Sequence, residues 1–357
     1  MNAAARLFRE LTSLPTAPFY EEGPAAVALA WIRRELGSRV RVRRHKGGIL
    51  VRYLGAGKGP ALCFAAHLDH PAFHLKRATP SGAEAELKGG LPRDLLPGAE
   101  VEAFPRNPRS NSPSARGVVE KDGEGFRIRW TQPPRPGARL DFATLALTPF
   151  EIRGPRLRSR SIDDLAGSAA SLEALRRLVR RRAKTNVTVL LHRAEEVGFI
   201  GALELIRAGA VDPGDSVLSV EASRALAGAR PGRGPVIRLG DKMTIFDPNL
   251  VALLDDSAAA LRKRGLRVQR ARLTGGTCEA TAYLAFGYET AAVAIPLVNY
   301  HNGGAGRVDA EEVRLADLAG VVELLVEAGR RFAGRTLRGS VRGRLAKLLA
   351  RERRLLG

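Results

Sequence analysis

The sequence predicts an α/β protein: a three-layer α/β/α domain around a mixed, mostly parallel sheet, with a small all-β domain inserted into it. Three observations predict this. Short continuous apolar runs recur at residues 61–66, 186–191, 216–220 and 290–296, as expected of strands buried on both faces. Stretches with apolar residues at helical spacing lie between them. From about residue 71 to 155 the texture changes to short alternating segments broken by Pro and Gly, the pattern of a β-unit with tight turns.

Composition sets limits. The 357 residues, 45% of them hydrophobic, suffice for one large domain or two with a sizeable core. No apolar run reaches the length of a transmembrane helix. Cys63 and Cys278 have no CxxC partner. They read as buried filler or soft metal ligands rather than a disulfide framework, so the expected compartment is the cytoplasm. The net charge of +21 comes largely from scattered arginines such as Arg176, Arg177 and Arg180. Such a surface attracts nucleic acid, anionic lipid or acidic substrates, or it reflects a genome rich in Ala, Arg and Gly and poor in Lys.

Taken in order, residues 2–12 form a first helix. Arg and Glu interrupt its apolar residues, so it is an amphipathic helix and not a signal peptide. A second helix spans 24–36, with Pro24 in its first turn. Strands are expected at 40–44 and 48–54. The buried strand 61–66 ends in His67-Leu68-Asp69. Residues i and i+2 of a strand share a face, and a metal-ligating His usually donates its other ring N–H to a carboxylate, so the HxD spacing suits that pairing; a His–Asp hydrogen bond in a loop gives the same spacing. His70 and His74 read as pocket-rim or loop residues. Alternating segments at 74–78, 84–87, 117–120 and 126–130 form the inserted β-domain, with 105–116 as a mobile loop.

The α/β texture resumes near residue 158. Asp163-Asp164 stands just ahead of a helix at 168–179. One Asp serves as an N-cap; a carboxylate with two oxygens can also bridge two cations. The strand 186–191 leads to Glu195-Glu196 and a helix from 198. Two acids at a helix N-terminus favour the dipole; at a strand end they can also divide metal ligation and proton transfer between them. Strand 216–220 ends at Glu221. A strand at 236–239, a helix at 249–265 and a strand at 266–271 follow. The Gly-rich turn 274–279 brings backbone near a substrate and opens a helix at 280–286. Strand 290–296 leads to a loop holding His301, then a helix over 309–332. The tail, 334–357, is a basic amphipathic helix suited to a membrane surface, to RNA, or to the protein's own body.

His67, Asp163, Glu196, Glu221 and His301 all fall after buried strands or before helices, positions that a parallel sheet gathers at one edge. Two His and three carboxylates suit a pair of Zn²⁺, Co²⁺ or Mn²⁺ ions about 3.5–4 Å apart. Glu195 remains beside them as a base.

The set HLD, SIDDLAG, AEEVGFIGA, VEAS and YHNGG, in that order, resembles the co-catalytic dimetal aminopeptidases, and most closely the tetrahedral/glutamyl aminopeptidase (M42-like) family, over about residues 1–335. The long interval between Asp69 and Asp163 is where that family carries its insert. The resemblance implies a discontinuous peptidase domain, 1–70 and 156–335, a barrel-like insert at 71–155, and a separate basic tail at 336–357. It implies that His67 and Glu221 hold one metal, Glu196 and His301 the other, and that Asp163 bridges both, with zinc the first expectation. Asp69 orients His67, and Glu195 activates the bridging water that attacks the N-terminal amide of a small peptide. A cis Asp163–Asp164 peptide and a homo-oligomer built through the insert are also implied. Two departures matter: Glu221 stands where the family more often has Asp, and His70-Pro71-Ala72-Phe73 replaces an acid and Ile-Gly-Phe. Glu at the former position accompanies carboxypeptidase or deacylase activity in the wider superfamily, so an N-acyl amino acid deacylase or carboxypeptidase-like amidohydrolase is the alternative. A non-enzymatic basic scaffold for nucleic acid or membrane is the alternative of another class.

Overall fold

The computed structural model describes residues 1–332 and 341–356. Helices α1 (Ala3–Leu11) and α2 (Glu22–Glu35) precede strands β1 (Arg41–His45), β2 (Gly48–Leu54) and β3 (Leu62–His67). Six strands follow: β4 (Ala72–Lys76), β5 (Gly82–Lys88), β6 (Glu100–Phe104), β7 (Ala115–Asp122), β8 (Gly125–Gln132) and β9 (Phe142–Leu145). After the short β10 (Glu151–Arg153) and β11 (Arg156–Ser159) come α3 (Ile162–Arg180), β12 (Asn186–His192), α4 (Ile200–Arg207) and β13 (Ser216–Arg224). The chain continues with β14 (Val236–Arg238), α5 (Pro248–Arg262), β15 (Gln269–Ala271), α6 (Glu279–Ala285) and β16 (Glu289–Leu297). It ends with β17 (Glu311–Arg314), α7 (Leu315–Phe332) and α8 (Val341–Glu352).

The main sheet has eight strands in the order β1-β2-β12-β3-β13-β16-β14-β15. Its centre, β12-β3-β13-β16, is parallel, while β2 and β14 run antiparallel to their neighbours in it. Every residue of β3 and β12 is buried, because helices cover both faces. On one face Phe64, Val189, Leu218 and Val293 pack against α1, α2, α3, α5 and α7. On the other, Cys63, Leu190 and Val217 meet Ala202, Leu205 and Tyr283 of α4 and α6. The expected three-layer α/β/α class is the observed one. Caps match the sequence: Asn2 accepts from the Ala5 N–H, and Asp247, ahead of Pro248, accepts from those of Asn249 and Leu250.

Strands β4 to β9 close into a barrel in the order β4-β5-β8-β7-β6-β9. Its core is built by alternation: Phe126, Ile128 and Trp130 point inward from β8 while Arg127 and Arg129 face out. A third sheet, β10-β11-β17, lies beside the main one.

Several elements differ from their sequence reading. His74 belongs to β4, where its Nε2 lies 2.8 Å from the Pro18 carbonyl oxygen, not on a loop. Ala115 and Arg116 open β7, so the expected loop 105–116 is shorter. The helix after Glu196 starts at Ile200, because Gly198 (φ 108°) and Phe199 (φ 61°) are left-handed. The helix expected over 309–332 begins only at Leu315: Glu311–Arg314 is a strand paired with β11. Two adjacent acids look like a first helical turn, and four residues are too few for alternation to show. Of the expected tail helix, residues 334–340 and 357 lie outside the described residues. In α8, Arg344 pairs with Asp256 of α5 at 2.9 Å.

Candidate active site

The parallel strands β3, β12, β13 and β16 end at one edge of the sheet. Their C-terminal ends and the adjoining loops carry His67, Glu195-Glu196, Glu221 and His301, and α3 brings in Asp163. The structure gathers all of these residues. His67 Nε2 lies 3.5 Å from Asp163 Oδ1, 3.7 Å from Glu195 Oε2 and 4.0 Å from Glu221 Oε2. His301 Nε2 lies 3.6 Å from Asp163 Oδ2 and 3.2 Å from Glu196 Oε1. Asp163 therefore turns one oxygen to each histidine.

Both rings are fixed from behind. His67 Nδ1 sits 3.1 Å from the Asp69 carbonyl oxygen and 3.5 Å from its Oδ1. His301 Nδ1 sits 3.1 Å from the Gly90 carbonyl oxygen. Each Nδ1–H can donate backward, which leaves the Nε2 lone pair facing the acids. Gly90 must be glycine here, since a Cβ would stand 2.8 Å from His301 Nδ1. Asp69 also grips the acid pair: its Oδ1 accepts from the Glu195 N–H (3.0 Å) and its Oδ2 from that of Glu196 (3.1 Å).

Several positioning residues were not apparent in the sequence. Glu311 accepts from the N–H groups of Ile162 and Asp163 and, with its other oxygen, from that of His301. Asp164, joined to Asp163 by a cis peptide, accepts from the N–H groups of Gly167 and Ala222. The backbone of Asp163 and Asp164 is non-helical, so Asp164 caps the regular turns of α3 that follow and ties them to β13. His70, expected at the pocket rim, is buried instead: its Nδ1 is 2.6 Å from the Asp163 carbonyl oxygen and its Nε2 is 3.1 Å from Asn302 Oδ1. Glu21 accepts from the Ala194 N–H at 2.9 Å. Ala194 (φ 50°) and His301 (φ 51°) are both left-handed, a conformation that persists at a site only where neighbours enforce it. Each is held by a buried carboxylate, Glu21 or Glu311.

The electrostatics call for cations. Burial lowers the proton affinity of His67, but the Glu195 charge and hydrogen bonds to Asp163 and Asp69 outweigh it and hold the imidazole well above its usual range. His301 is likewise held high against burial by Glu196 and Asp163. Burial, followed by the Glu221 and Glu196 charges and opposed by His67, pushes Glu195 well up. Asp163 Oδ1 and Glu196 Oε1 are buried with no hydrogen-bond partner. Orphaned carboxylate oxygens facing histidine nitrogens are the donors that divalent ions need. His67, Asp163 and Glu221 form one triad that fits an ion, and Asp163, Glu196 and His301 form another. Beside them opens a cavity of about 370 Å³, large enough for a small organic substrate.

A family-wide sequence model, that of the M42 glutamyl aminopeptidases, matches residues 138–319, just over half of the chain. The chain belongs to the M42 glutamyl aminopeptidase family. It is a hydrolytic enzyme, a metal-dependent aminopeptidase, and not a basic scaffold without activity. Solved structures share the fold of this M42 chain. A TET aminopeptidase from a marine-sediment Thaumarchaeota archaeon is 17% identical with a TM-score of 0.77, covering 92% of this chain and 96% of that one. The Pyrococcus horikoshii TET1 peptidase is 22% identical with a TM-score of 0.73, over 91% and 99%. An aminopeptidase from the archaeon Desulfurococcus kamchatkensis is 20% identical with a TM-score of 0.74, over 91% and 93%.

Proposed function

We propose that this chain removes N-terminal residues from small peptides at a two-ion site, with Glu195 as general base. The observation that carries this reading is the split of Asp163, one oxygen 3.5 Å from His67 Nε2 and the other 3.6 Å from His301 Nε2. His67 and Glu221 would hold one ion, Glu196 and His301 the other, and Asp163 both. The mixed imidazole and carboxylate donors favour zinc, with cobalt or manganese as substitutes. Bound there, the ions would acidify water and polarise the scissile carbonyl. Glu195 takes the proton of the attacking water and passes it to the leaving amine. Asp69 keeps the Glu195–Glu196 backbone and the His67 ring in place for that transfer.

We assign residues 1–70 and 156–335 to the peptidase domain and 71–155 to the inserted barrel. The Pyrococcus horikoshii TET1 peptidase is described as assembling into a tetrahedron or a large octahedral shell. By that likeness this chain forms a homo-oligomer, with the barrel contributing contacts. Both cysteines are free and buried, and among the described residues no helix is long and apolar enough to cross a membrane. The cytoplasm fits both facts.

The test is elemental analysis of the purified protein, paired with a panel of aminoacyl and N-acyl amino acid substrates with and without added Zn²⁺ or Co²⁺. About two ions per chain and metal-dependent release of N-terminal residues support the reading. Release of acyl groups alone moves it to a deacylase. Absence of metal after every reloading attempt rejects the ligand set.

A further inference from the structure

A second cavity, of about 260 Å³, opens near the N-terminal ends of β3 and β12, whose C-terminal ends lead to the acid cluster. Successive side chains of a strand point to opposite faces, so the register lays two rows across the face that also carries α4. Arg41, Arg52, Thr188 and Cys63 stand side by side on β1, β2, β12 and β3. Arg43, Leu50 and Leu190 form the next row. Leu50 and Leu190 pack with Ala202 and Leu205 of α4. Beyond α4, which ends at Arg207, this corner of the face is walled only by the chain that follows, at Ala210, Val211 and Asp215.

The charges around this cavity are unbalanced. Arg41 and Arg52 are directly opposed across two strands, where like charges repel, and Arg43 adds a third on the same face. Among the described residues none of the three is in an ion pair, whereas the exposed Arg34, Arg106, Arg116 and Arg129 each have a carboxylate partner. Arg52 Nε and Thr188 Oγ1 are buried with no hydrogen-bond partner, and Thr188 is only 4% exposed. Asp215, the carboxylate that lines the cavity, is turned to the fold: its Oδ1 accepts from the Ala61 N–H at 2.7 Å and its Oδ2 faces the Cys63 thiol at 3.8 Å. Three positive charges therefore meet one negative charge. Buried donors left unpaired are unfavourable, and guanidinium groups grip carboxylate and phosphate oxygens in pairs. Between those groups the floor is apolar, at Leu50 and Leu190, and roughly eight waters at about 30 Å³ each would fill the space. We propose that this cavity binds a small organic anion, with its carboxylate or phosphate among Arg41, Arg43 and Arg52 and a short apolar body on Leu50 and Leu190. The proposal does not depend on the metal site.

The test is calorimetric titration of the full chain with octanoate, octyl phosphate, inorganic phosphate and octanamide. Octanamide has the shape of octanoate without its charge, so their ratio reads the ion pair alone. One anion should bind per chain, about 10–100-fold more tightly than octanamide, the worth of hydrogen bonds to a charged partner. Tighter binding of octanoate names a carboxylate, and tighter binding of octyl phosphate names a phosphate monoester. Arg52→Met should bring the anion down to the octanamide level, and Arg52→Lys should partly restore it. Ala210→Leu should weaken every octyl probe by filling the cavity without touching a charge. Arg33→Met, at an exposed position of α2, should change nothing. Circular dichroism checks that each variant is folded. Failure of both octyl anions to bind, or equal binding of octanamide, overturns the proposal. Binding that survives both Arg52→Met and Ala210→Leu belongs to another site and also overturns it. An equal loss in Arg33→Met would mean adsorption to the basic surface at large. Inorganic phosphate that binds as tightly as octyl phosphate would remove the apolar body from the assignment.

Discussion

Glu311 accepts a hydrogen bond from the backbone N–H of His301 at 2.9 Å, and with its other oxygen it accepts from the N–H of Asp163 at 3.0 Å. One fully buried carboxylate therefore sets the backbone beneath two of the proposed metal ligands. His301 is left-handed at φ 51°, and this contact holds it there. Removing a partner that orients a ligand typically costs 10–100-fold in metal affinity. Glu311→Ala should lose affinity on that scale. Glu311→Gln should be intermediate, since its amide keeps one acceptor and turns an NH₂ toward the other N–H. Competition against a chromogenic chelator measures this, and an unchanged affinity in Glu311→Ala would show that the contact serves folding only.

Glu195 is expected to separate binding from chemistry. Its carboxylate borders the cavity 3.7 Å from His67 Nε2, while the bridging position is the one proposed for Asp163. Glu195→Gln should keep its metal complement and lose about 10²–10⁴ in kcat, the weight of a general base. Elemental analysis beside steady-state kinetics decides it. Loss of one ion in the variant would make Glu195 a ligand and move the base elsewhere.

A pH effect follows from Glu21. Burial, and then the charge of Asp69, push its carboxyl up to about 7 against the opposing pull of Arg193. Between the unfolded value near 4.5 and this raised value, the folded protein holds a proton that the unfolded chain has released. Unfolding therefore releases a proton, and stability falls as pH rises through that window, on the order of 3 kcal/mol in all. Burial raises Glu221 and Glu311 to about 7 as well, so Glu21→Gln should make this slope shallower by one group's share in denaturant unfolding of metal-stripped protein between about pH 5 and 7.5. An identical slope in the variant would place the titration on another group.

The sequence shows the proposed ligands more clearly than what supports them. His67, Glu196, Glu221 and His301 follow runs so apolar that the strands are unmistakable, and a polar residue at the end of a buried parallel strand has few other reasons to be there. Glu311 leaves no such mark. Its strand is four residues long and begins with two acids, and it takes its structure from a ladder with β11 more than 150 residues earlier. Glu21 sits beside a second acid, Glu22, in a stretch of no clear period, and only the folded chain brings it to Ala194. The distinction between Asp163 and Asp164 is likewise open in the sequence, because capping and bridging both ask for an acid where the regular turns of a helix begin. The structure divides the roles: Asp164 accepts from Gly167 and Ala222, and Asp163 faces the histidines.

The turn carrying the acid pair depends on a close approach of backbones. A Cβ on Gly201 would lie 2.3 Å from the Arg193 carbonyl oxygen and 2.4 Å from that of Gly47. Both are main-chain atoms, so no flexible side chain can yield. The same place carries hydrogen bonds from the Gly201 N–H to Arg193 and from the Arg193 N–H to Gly47, locking the β1–β2 hairpin, the end of β12 and the start of α4 together. Gly201→Ala must push these segments apart, at a cost of about 2–3 kcal/mol as for other overpacked sites. Arg193 adjoins Ala194 and the acid pair, so the shift should reach the chemistry as well. The expected outcome is a Tm several degrees lower and a reduced kcat with metal still bound. Gly209→Ala makes a useful comparison. That glycine is left-handed at φ 58° but opens on empty space, so its replacement should cost stability and leave kcat alone. Equal kcat losses in the two variants would mean that general destabilisation, and not displacement of the Glu195–Glu196 turn, accounts for the Gly201 effect.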